Sequence, residues 1–535
     1  MRKCLIASAS LAALCLGVGG IRVDAGETLY NGIVLPSPWP PRAETLTREP
    51  MSPPYLAEPP AVIPIDVGRQ LFVDDFLVEQ TTLKRAFHLA ELHPANPVLK
   101  PDTAWETATQ RDPTAMVFSD GVWFDPADKR FKMWYMGGYV RGTCYATSKD
   151  GIAWEKPPLD VKPGTNVVQE GYRDSAAVWL DLEEKDPAKR FKFFVVQRAP
   201  EGQKGWVGYV HASPDGVHWG KPVAHTPPIG DRSTIFHNPF RKVWVYSIRS
   251  GVLGRSRQYR EHADLAAGAA WKPEEAPLWV GADTNDPPRD DLKTPPQLYN
   301  LDAVAYESLM LGLFTIWPGQ PRDRSKPNYV CLGFSRDGFH WSRPDHRPFI
   351  GVSEKHGDWN WGNVQSAGGG CLVVGDKLYF YFSARAGIKG STASGVCTTG
   401  LATLRRDGFA SMDGTGTLTT RLVSFRGKHL FVNSAGELQV EVLQDDGKPI
   451  APFTRDNCEP LAGDKTLQAV RWKGADDLSA LAGKPVRFRF HLAKGSLYAF
   501  WVSPDASGAS HGYVAAGGPG FTAPADTVGL GGYPK

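Results

Sequence analysis

From about residue 65 onward the chain is built of short apolar and aromatic runs, separated by turn residues and showing almost no helical periodicity. Ala115-Met116-Val117-Phe118, Ala176-Ala177-Val178-Trp179-Leu180 and Ser233-Thr234-Ile235-Phe236 are three such runs. Each leads to a turn (Asp125-Pro126, Asp186-Pro187, Asn238-Pro239) and then to a second run rich in aromatic and β-branched residues. These second runs are Phe131-Lys132-Met133-Trp134-Tyr135, Phe191-Lys192-Phe193-Phe194-Val195 and Val243-Trp244-Val245-Tyr246. The pattern predicts strands joined by tight turns.

A seven-residue phrase marks the period. Ser148-Lys149-Asp150-Gly151-Ile152-Ala153-Trp154 returns as Ser213-Pro214-Asp215-Gly216-Val217-His218-Trp219 and as Ser335-Arg336-Asp337-Gly338-Phe339-His340-Trp341. Asp-Gly accepts a tight turn, Ser and Asp bond the turn's own backbone, and Trp packs beneath it. Two looser units, one from Leu301 to Trp341 and one from Val364 to Phe409, bring the number of units to five. Five units of about four strands each predict an all-β, five-bladed β-propeller. Leu71-Phe72-Val73 or its neighbourhood is the candidate for closing the ring.

After Met412 the wording changes to long alternating runs such as Glu437-Leu438-Gln439-Val440-Glu441-Val442-Leu443 and Val486-Arg487-Phe488-Arg489-Phe490. These predict a C-terminal β-sandwich. The expected organisation is a signal peptide over 1–25, a Pro-rich arm over 26–64, the propeller over 65–412, the sandwich over 413–516 and a flexible Gly/Pro-rich tail over 517–535. The leader is read from Met1-Arg2-Lys3, the apolar run from Leu5 to Val18, and Val23-Asp24-Ala25. It implies a secreted or periplasmic protein. No later segment is long and apolar enough to span a membrane.

Composition excludes several classes. A net charge of +3 is too small to imply nucleic acid as partner. Five cysteines beyond the leader are too few and odd in number for a disulfide scaffold, so most should be small buried hydrophobes. The 17 tryptophans exceed what blade packing needs and point to sugar-stacking platforms. No His-Glu-x-x-His or paired Cys-His spacing calls for a metal. Gly508-Ala509-Ser510-His511-Gly512 fits a serine-hydrolase phrase but lacks the strand-to-helix elbow that chemistry needs.

Aligning the units on their first strands stacks acidic residues in one column: Asp112, Asp174, Asp231 and Asp302, with Asn363 in the fifth unit. First strands line a propeller's central funnel, so the column gathers carboxylates around one axis. Carboxylates whose environments push their pKa values apart are what glycoside chemistry uses. Hence Asp112, Asp174, Asp231, Asp302 and Glu307 are the candidate catalytic residues, with Glu307 the leading acid and Glu106, Glu170 and Glu354 its rivals. Arg173, Arg232, Trp361, Asn363 and Gln365 are the candidate substrate-binding residues, with Trp359 beside them. No cofactor is expected, although clustered carboxylates leave room for a structural cation at the centre.

Arg111-Asp112-Pro113 and Arg173-Asp174 resemble the Arg-Asp-Pro motif of glycoside hydrolase family 32 and its relatives in families 43 and 68. Asn96-Pro97-Val98-Leu99 ahead of Trp105-Glu106 resembles the lead-in to their first blade. The Asp-Gly-Phe-His-Trp and Trp-Asn-Trp-Gly-Asn phrases are similar to those of a secreted bacterial group labelled family 32. The Asn-Asp-Pro-Asn nucleophile motif of fructosidases and their Glu-Cys pair are absent, so fructan specificity is not implied. The resemblance implies an exported glycosidase acting on plant or algal polysaccharide or its fragments. The alternatives are a non-catalytic carbohydrate-binding propeller and a glycoside phosphorylase.

Overall fold

The computed structural model describes residues 26–202 and 204–533; the expected leader, residues 1–25, lies outside the described residues. Each Asp-Gly phrase folds as its chemistry dictates. Asp150 Oδ1 accepts from the backbone N–H of Ile152 and Ala153, both at 2.8 Å, and Ser148 Oγ accepts from Gly151 N–H at 2.9 Å. Gly151 sits at φ +74°, a conformation that favours glycine. The same bonds recur at Ser213/Asp215 and Ser335/Asp337.

The hairpins also lock the ring. Gly151 O accepts from Tyr381 of the last blade, Gly216 O from Trp134 of the first and Phe339 O from Trp279 of the third, at 2.6, 2.6 and 2.8 Å. Each turn therefore receives an aromatic donor from the blade before it.

Five antiparallel sheets follow in order. Their first strands are Ala115–Asp125, Arg173–Leu180, Thr234–Asn238, Gln297–Glu307 and Asn363–Ser366. Polar bonds join these inner strands around the axis. Arg173 meets Asp120, Ser175 Oγ reaches Ser233 O at 2.7 Å, and Thr234 Oγ1 reaches Leu301 O at 3.2 Å. Ser366 Oγ reaches Asp302 at 2.7 Å, and the fifth blade closes on the first through its strand Cys397–Arg405, where Thr399 Oγ1 accepts from Val117 N–H at 2.9 Å. One apolar core runs through all five blades.

The ring closes through Glu91–Leu92, which pairs with Ala402 and Thr403 as the outer strand of the fifth blade. Leu71, expected in that role, belongs instead to Gln70–Leu71, which pairs with Arg487–Ser503. The strands between residues 70 and 87 thus pair in the C-terminal sheet, although Leu71 and Val73 pack into the propeller core. That sheet has seven strands, ordered Asp464–Ala469, His429–Leu443, Arg487–Ser503, Ala410–Thr420 and Val78–Thr81, with Gln70–Leu71 and Lys84–Phe87 alongside. Gly414, Gly495 and Gly436 lie opposite one another across its three long strands, beside register shifts in each pairing. Bulges and glycine at one level bend a sheet. The arm residues Leu29, Ile33, Leu35 and Tyr55 share the buried core of this second unit.

The segment that follows the last long strand packs on the propeller. Tyr513–Val514 pairs with the end of Gln297–Glu307. Ala515 N–H donates to Ala305 O at 3.2 Å, Ala516 N–H to Cys371 O at 3.0 Å, and Ala516 O accepts from Phe124 N–H at 3.0 Å. The segment crosses the far ends of the inner strands of the first, fourth and fifth blades and covers the propeller opposite the funnel mouth. All five cysteines of the described chain are buried and unpaired by disulfides.

Candidate functional site in the propeller funnel

The innermost strand of the first blade buckles. Its register with Arg130–Gly137 shifts between Met116 and Gly121, and Phe118 stands at φ +50°. A bulky residue in that region is strained, and bulges re-aim side chains. Here the Phe118 ring lies 3.8 Å beneath the Arg232 guanidinium, and Asp120 reaches the second blade. Arg173 Nη1 and Nη2 donate to the two Asp120 oxygens at 2.9 and 2.6 Å, with both side chains fully buried. Arg173 therefore holds blades together and does not offer itself to a substrate.

Asp174, next along the strand, is partly exposed. Its carboxyl is raised to about 6, first by burial and then by neighbouring Asp231, against the opposing influence of Arg232, Lys326 and Arg385. Asp231 lies at the same mouth, with Arg249 Nη1 donating to its Oδ1 at 2.6 Å. Lys326 Nζ donates to the Tyr299 hydroxyl at 2.9 Å. Burial resists ionisation of that phenol, yet Lys326 lowers its pKa below the usual value.

Beneath this rim lies a cationic floor. Arg232 is 2% exposed; its Nε donates to Gln365 Oε1 at 3.2 Å, and its two terminal nitrogens have no hydrogen-bond partner among the described residues. Gln365 is oriented by Asn363, whose Oδ1 accepts from Gln365 Nε2 at 2.8 Å. Arg385 donates to Ser394 Oγ at 3.1 Å and Tyr139 OH at 3.3 Å. Arg257, fully buried, is held by Ser247, the Arg232 carbonyl and Asn300; burial first, and then Arg232, lower its pKa to about 9. Arg173, Arg232 and Arg257 are all buried at the propeller's centre.

Several expected site residues lie elsewhere or serve the frame. Asp302 is buried and accepts from Ser366 at 2.7 Å, Asn300 at 2.8 Å and Ser119 at 3.2 Å, so it ties the first, fourth and fifth blades together. Asp112 accepts from Gly395 N–H at 2.8 Å at the edge of the mouth. Asn363 and Gln365 are buried supports of Arg232 and do not reach an open cavity. The Trp361 ring is buried, with Arg324 4.6 Å above it and His356 against it, so it presents no open stacking face.

Glu307 does not join the funnel. It sits at the far end of its strand, roughly 17 Å along from Asp302 at the usual rise per residue. It is fully buried, accepting from Arg69 N–H at 3.1 Å and Ser510 Oγ at 2.7 Å and facing Arg406 at 3.3 Å. Arg69 also binds Asp407 at 2.9 Å and stacks on Trp501 at 4.1 Å. This buried network welds the propeller to the C-terminal sheet. Among the rival acids, Glu106 caps Thr103 N–H and binds Lys156 at 2.7 Å, and Glu170 pairs with Lys162. Burial resists ionisation of Glu354, but Arg289 and Arg324 hold its carboxyl below the usual range.

The alignment on first strands missed Lys326, Arg385, Tyr299 and Phe118. Strand pairing carries one recoverable signal: Arg385 stands directly opposite Asn363.

No family model matches the chain, and no curated protein matches it. Among solved structures it is similar to an N-acetylgalactosamine deacetylase from F. plautii, at 14% identity and TM-score 0.38, covering 64% of this chain and 97% of that one. A fructofuranosidase from Schwanniomyces occidentalis aligns at 10% identity and TM-score 0.34, covering 72% and 94%. A thermostable family-43 glycoside hydrolase aligns at 13% identity and TM-score 0.37, covering 58% and 97%. The propeller assignment rests on the strand pairing, not on these likenesses.

Proposed function

We propose that the protein is an exported glycoside hydrolase acting on poly- or oligosaccharide within the propeller funnel. One observation carries this reading: two carboxylates, Asp174 and Asp231, meet at the mouth in different environments. Asp174 keeps a proton up to about pH 6 and is the proton donor to the leaving oxygen. Asp231, held by the Arg249 guanidinium, is the base or nucleophile on the sugar's other side. A proton-donating carboxyl facing a second carboxyl across the sugar is what glycosidic cleavage uses. Tyr299 and Tyr139 supply aromatic and hydroxyl contacts at the rim, and Gln365 holds Arg232 beneath them. We further read the bent seven-stranded sheet as the sandwich that supports the propeller from behind.

A released-sugar screen over a panel of plant and algal polysaccharides, run with wild type, Asp174→Asn and Asp231→Asn, tests the reading. Sugar release by wild type that falls with both variants supports it. A second reading, a carbohydrate-binding propeller without catalysis, is favoured by the ion pair that occupies Asp231. It gains ground if glycan binds the funnel and no condition yields release.

A further inference from the structure

Charge around the funnel does not balance, and the imbalance has a location. Arg173 is matched by Asp120, Arg249 by Asp231, and Arg257 by neutral oxygens of Ser247, Arg232 and Asn300. Three cations remain without a direct ion pair among the described residues, although Asp302 and Asp174 both face Arg232. Among the described residues, Arg232 has two unpartnered terminal nitrogens at 2% exposure, Arg385 has an unpartnered Nε, and Lys326 has only the Tyr299 hydroxyl as side-chain partner. Asp174 is the one carboxyl beside all three, and it makes no two-point bond to any of them. A buried guanidinium whose nitrogens lack partners is costly, and such groups in a native fold call for an explanation. A neutral sugar hydroxyl leaves most of that cost in place. A planar or tetrahedral oxyanion removes it, because it accepts two parallel N–H bonds from one guanidinium.

We propose that the funnel selects glycans carrying an oxyanion, a uronate carboxylate or a sulfate ester, which seats against Arg232 with Lys326 and Arg385 beside it. This deepens the glycosidase reading and rests on it. The rest of the chain has a place to run. A cleft of about 650 Å³ beside the mouth is lined by Trp105, Tyr139, Arg141, Lys162 and Tyr172, and its Tyr139 hydroxyl is the one Arg385 contacts. Tyr172 is 52% exposed and stacks on Trp206 with ring centres 5.6 Å apart, giving a sugar ring an aromatic face.

The test compares tetragalacturonate, a sulfated galactan oligosaccharide and a neutral galactan oligosaccharide of equal length by titration calorimetry at fixed ionic strength. At least one anionic probe is expected to bind about tenfold or more tighter than the neutral one. Preference for galacturonate assigns a carboxylate, and preference for the sulfated probe assigns a sulfate ester. Arg232 is buried and its replacement risks the fold, so Lys326→Met is the working variant. It should lower the ratio of anionic to neutral affinity about tenfold, the ratio being the readout because Lys326 also bonds the rim residue Tyr299. As a probe independent of glycan backbone, sodium sulfate matched against chloride should raise the Tm of wild type more than that of Lys326→Met. Equal or tighter binding of the neutral probe, or no sulfate-specific difference together with no binding of either anionic glycan, overturns the proposal. So does phosphate-dependent release of a sugar phosphate, which would assign the cations to a co-substrate. If neutral glycan binds at least as tightly as the anionic probes and Asp231→Asn abolishes that binding, the funnel stands and only the anion claim falls. If glycan binding ignores both Asp231→Asn and Lys326→Met, the funnel reading itself falls.

Discussion

Arg173 grips Asp120 through two parallel bonds of 2.9 and 2.6 Å, and this pair settles what its neighbour Asp174 can do. In a strand successive side chains point to opposite faces. With Arg173 turned to the first blade, Asp174 takes the axial position without a guanidinium of its own. The Arg-Asp dipeptide therefore works as a clamp followed by a functional group, and not as two sugar-binding residues.

Breaking the clamp should damage the fold before it damages chemistry. Arg173→Ala leaves the buried Asp120 charge alone, a loss of about 3–5 kcal/mol for a buried pair. Chemical denaturation should show it. The double variant Arg173→Met with Asp120→Leu should recover part of the loss, because it leaves no unpaired charge.

Asp174 links stability to pH. Its folded pKa of about 6 lies above its ordinary value of 3.8, so the folded state binds that proton more tightly than the unfolded chain does. The stability it contributes is complete below pH about 4 and is lost as pH rises to about 6. Asp174→Asn removes the cost of the buried charge and should stabilise the protein by up to about 3 kcal/mol at pH 7.5, with little effect at pH 3.5. Thermal melts at the two pH values check it. An equal shift at both would mean that packing, not charge, is responsible.

The strands, the period and the Asp-Gly turns were legible because each rests on local chemistry: the hairpin bonds at Asp150, Asp215 and Asp337 connect residues two or three apart. Of the acids aligned on first strands, only Asp174 and Asp302 lie on those strands, while Asp112 and Asp231 stand in the loops before them. Asp302 and Asp174 look alike in sequence, and only the third dimension gives one three hydrogen-bond donors and the other a lone place at the rim. Glu307 misled for a related reason. Its apolar neighbours correctly signalled burial, but its partners Arg69 and Arg406 come from distant parts of the chain. Closure by Glu91–Leu92 was hidden because two exposed residues carry no hydrophobic pattern.

Glu307→Gln should therefore act on stability and leave catalysis alone. Removing its charge leaves Arg69 and Arg406 without one shared counter-ion in the buried interface, and Tm should fall. The pH profile of sugar release should keep its shape. A changed profile would return Glu307 to the list of acids.

The C-terminal segment should resist proteases as part of one body with the propeller. Truncation after Ser510 removes the strand Tyr513–Val514 and the cover over the propeller's closed end, so the shortened chain should lose cooperative unfolding. Limited proteolysis of the full chain should release neither a folded propeller ending near residue 412 nor a trimmed form ending near residue 512. Mass spectrometry of protein from the native host should find an N-terminus at or near Gly26; an intact Met1 on cell-associated protein would contradict export.

The central claim is that sugar chemistry occurs beside Asp174, and turnover by Asp174→Asn on the glycan that wild type cleaves tests it most directly. Loss of a general acid costs about 100- to 10,000-fold in rate. The expected result is a fall of that size with glycan affinity close to wild type, and a wild-type rate that declines as pH rises through about 6. Near-native turnover by Asp174→Asn on the same glycan would place the active site outside the funnel.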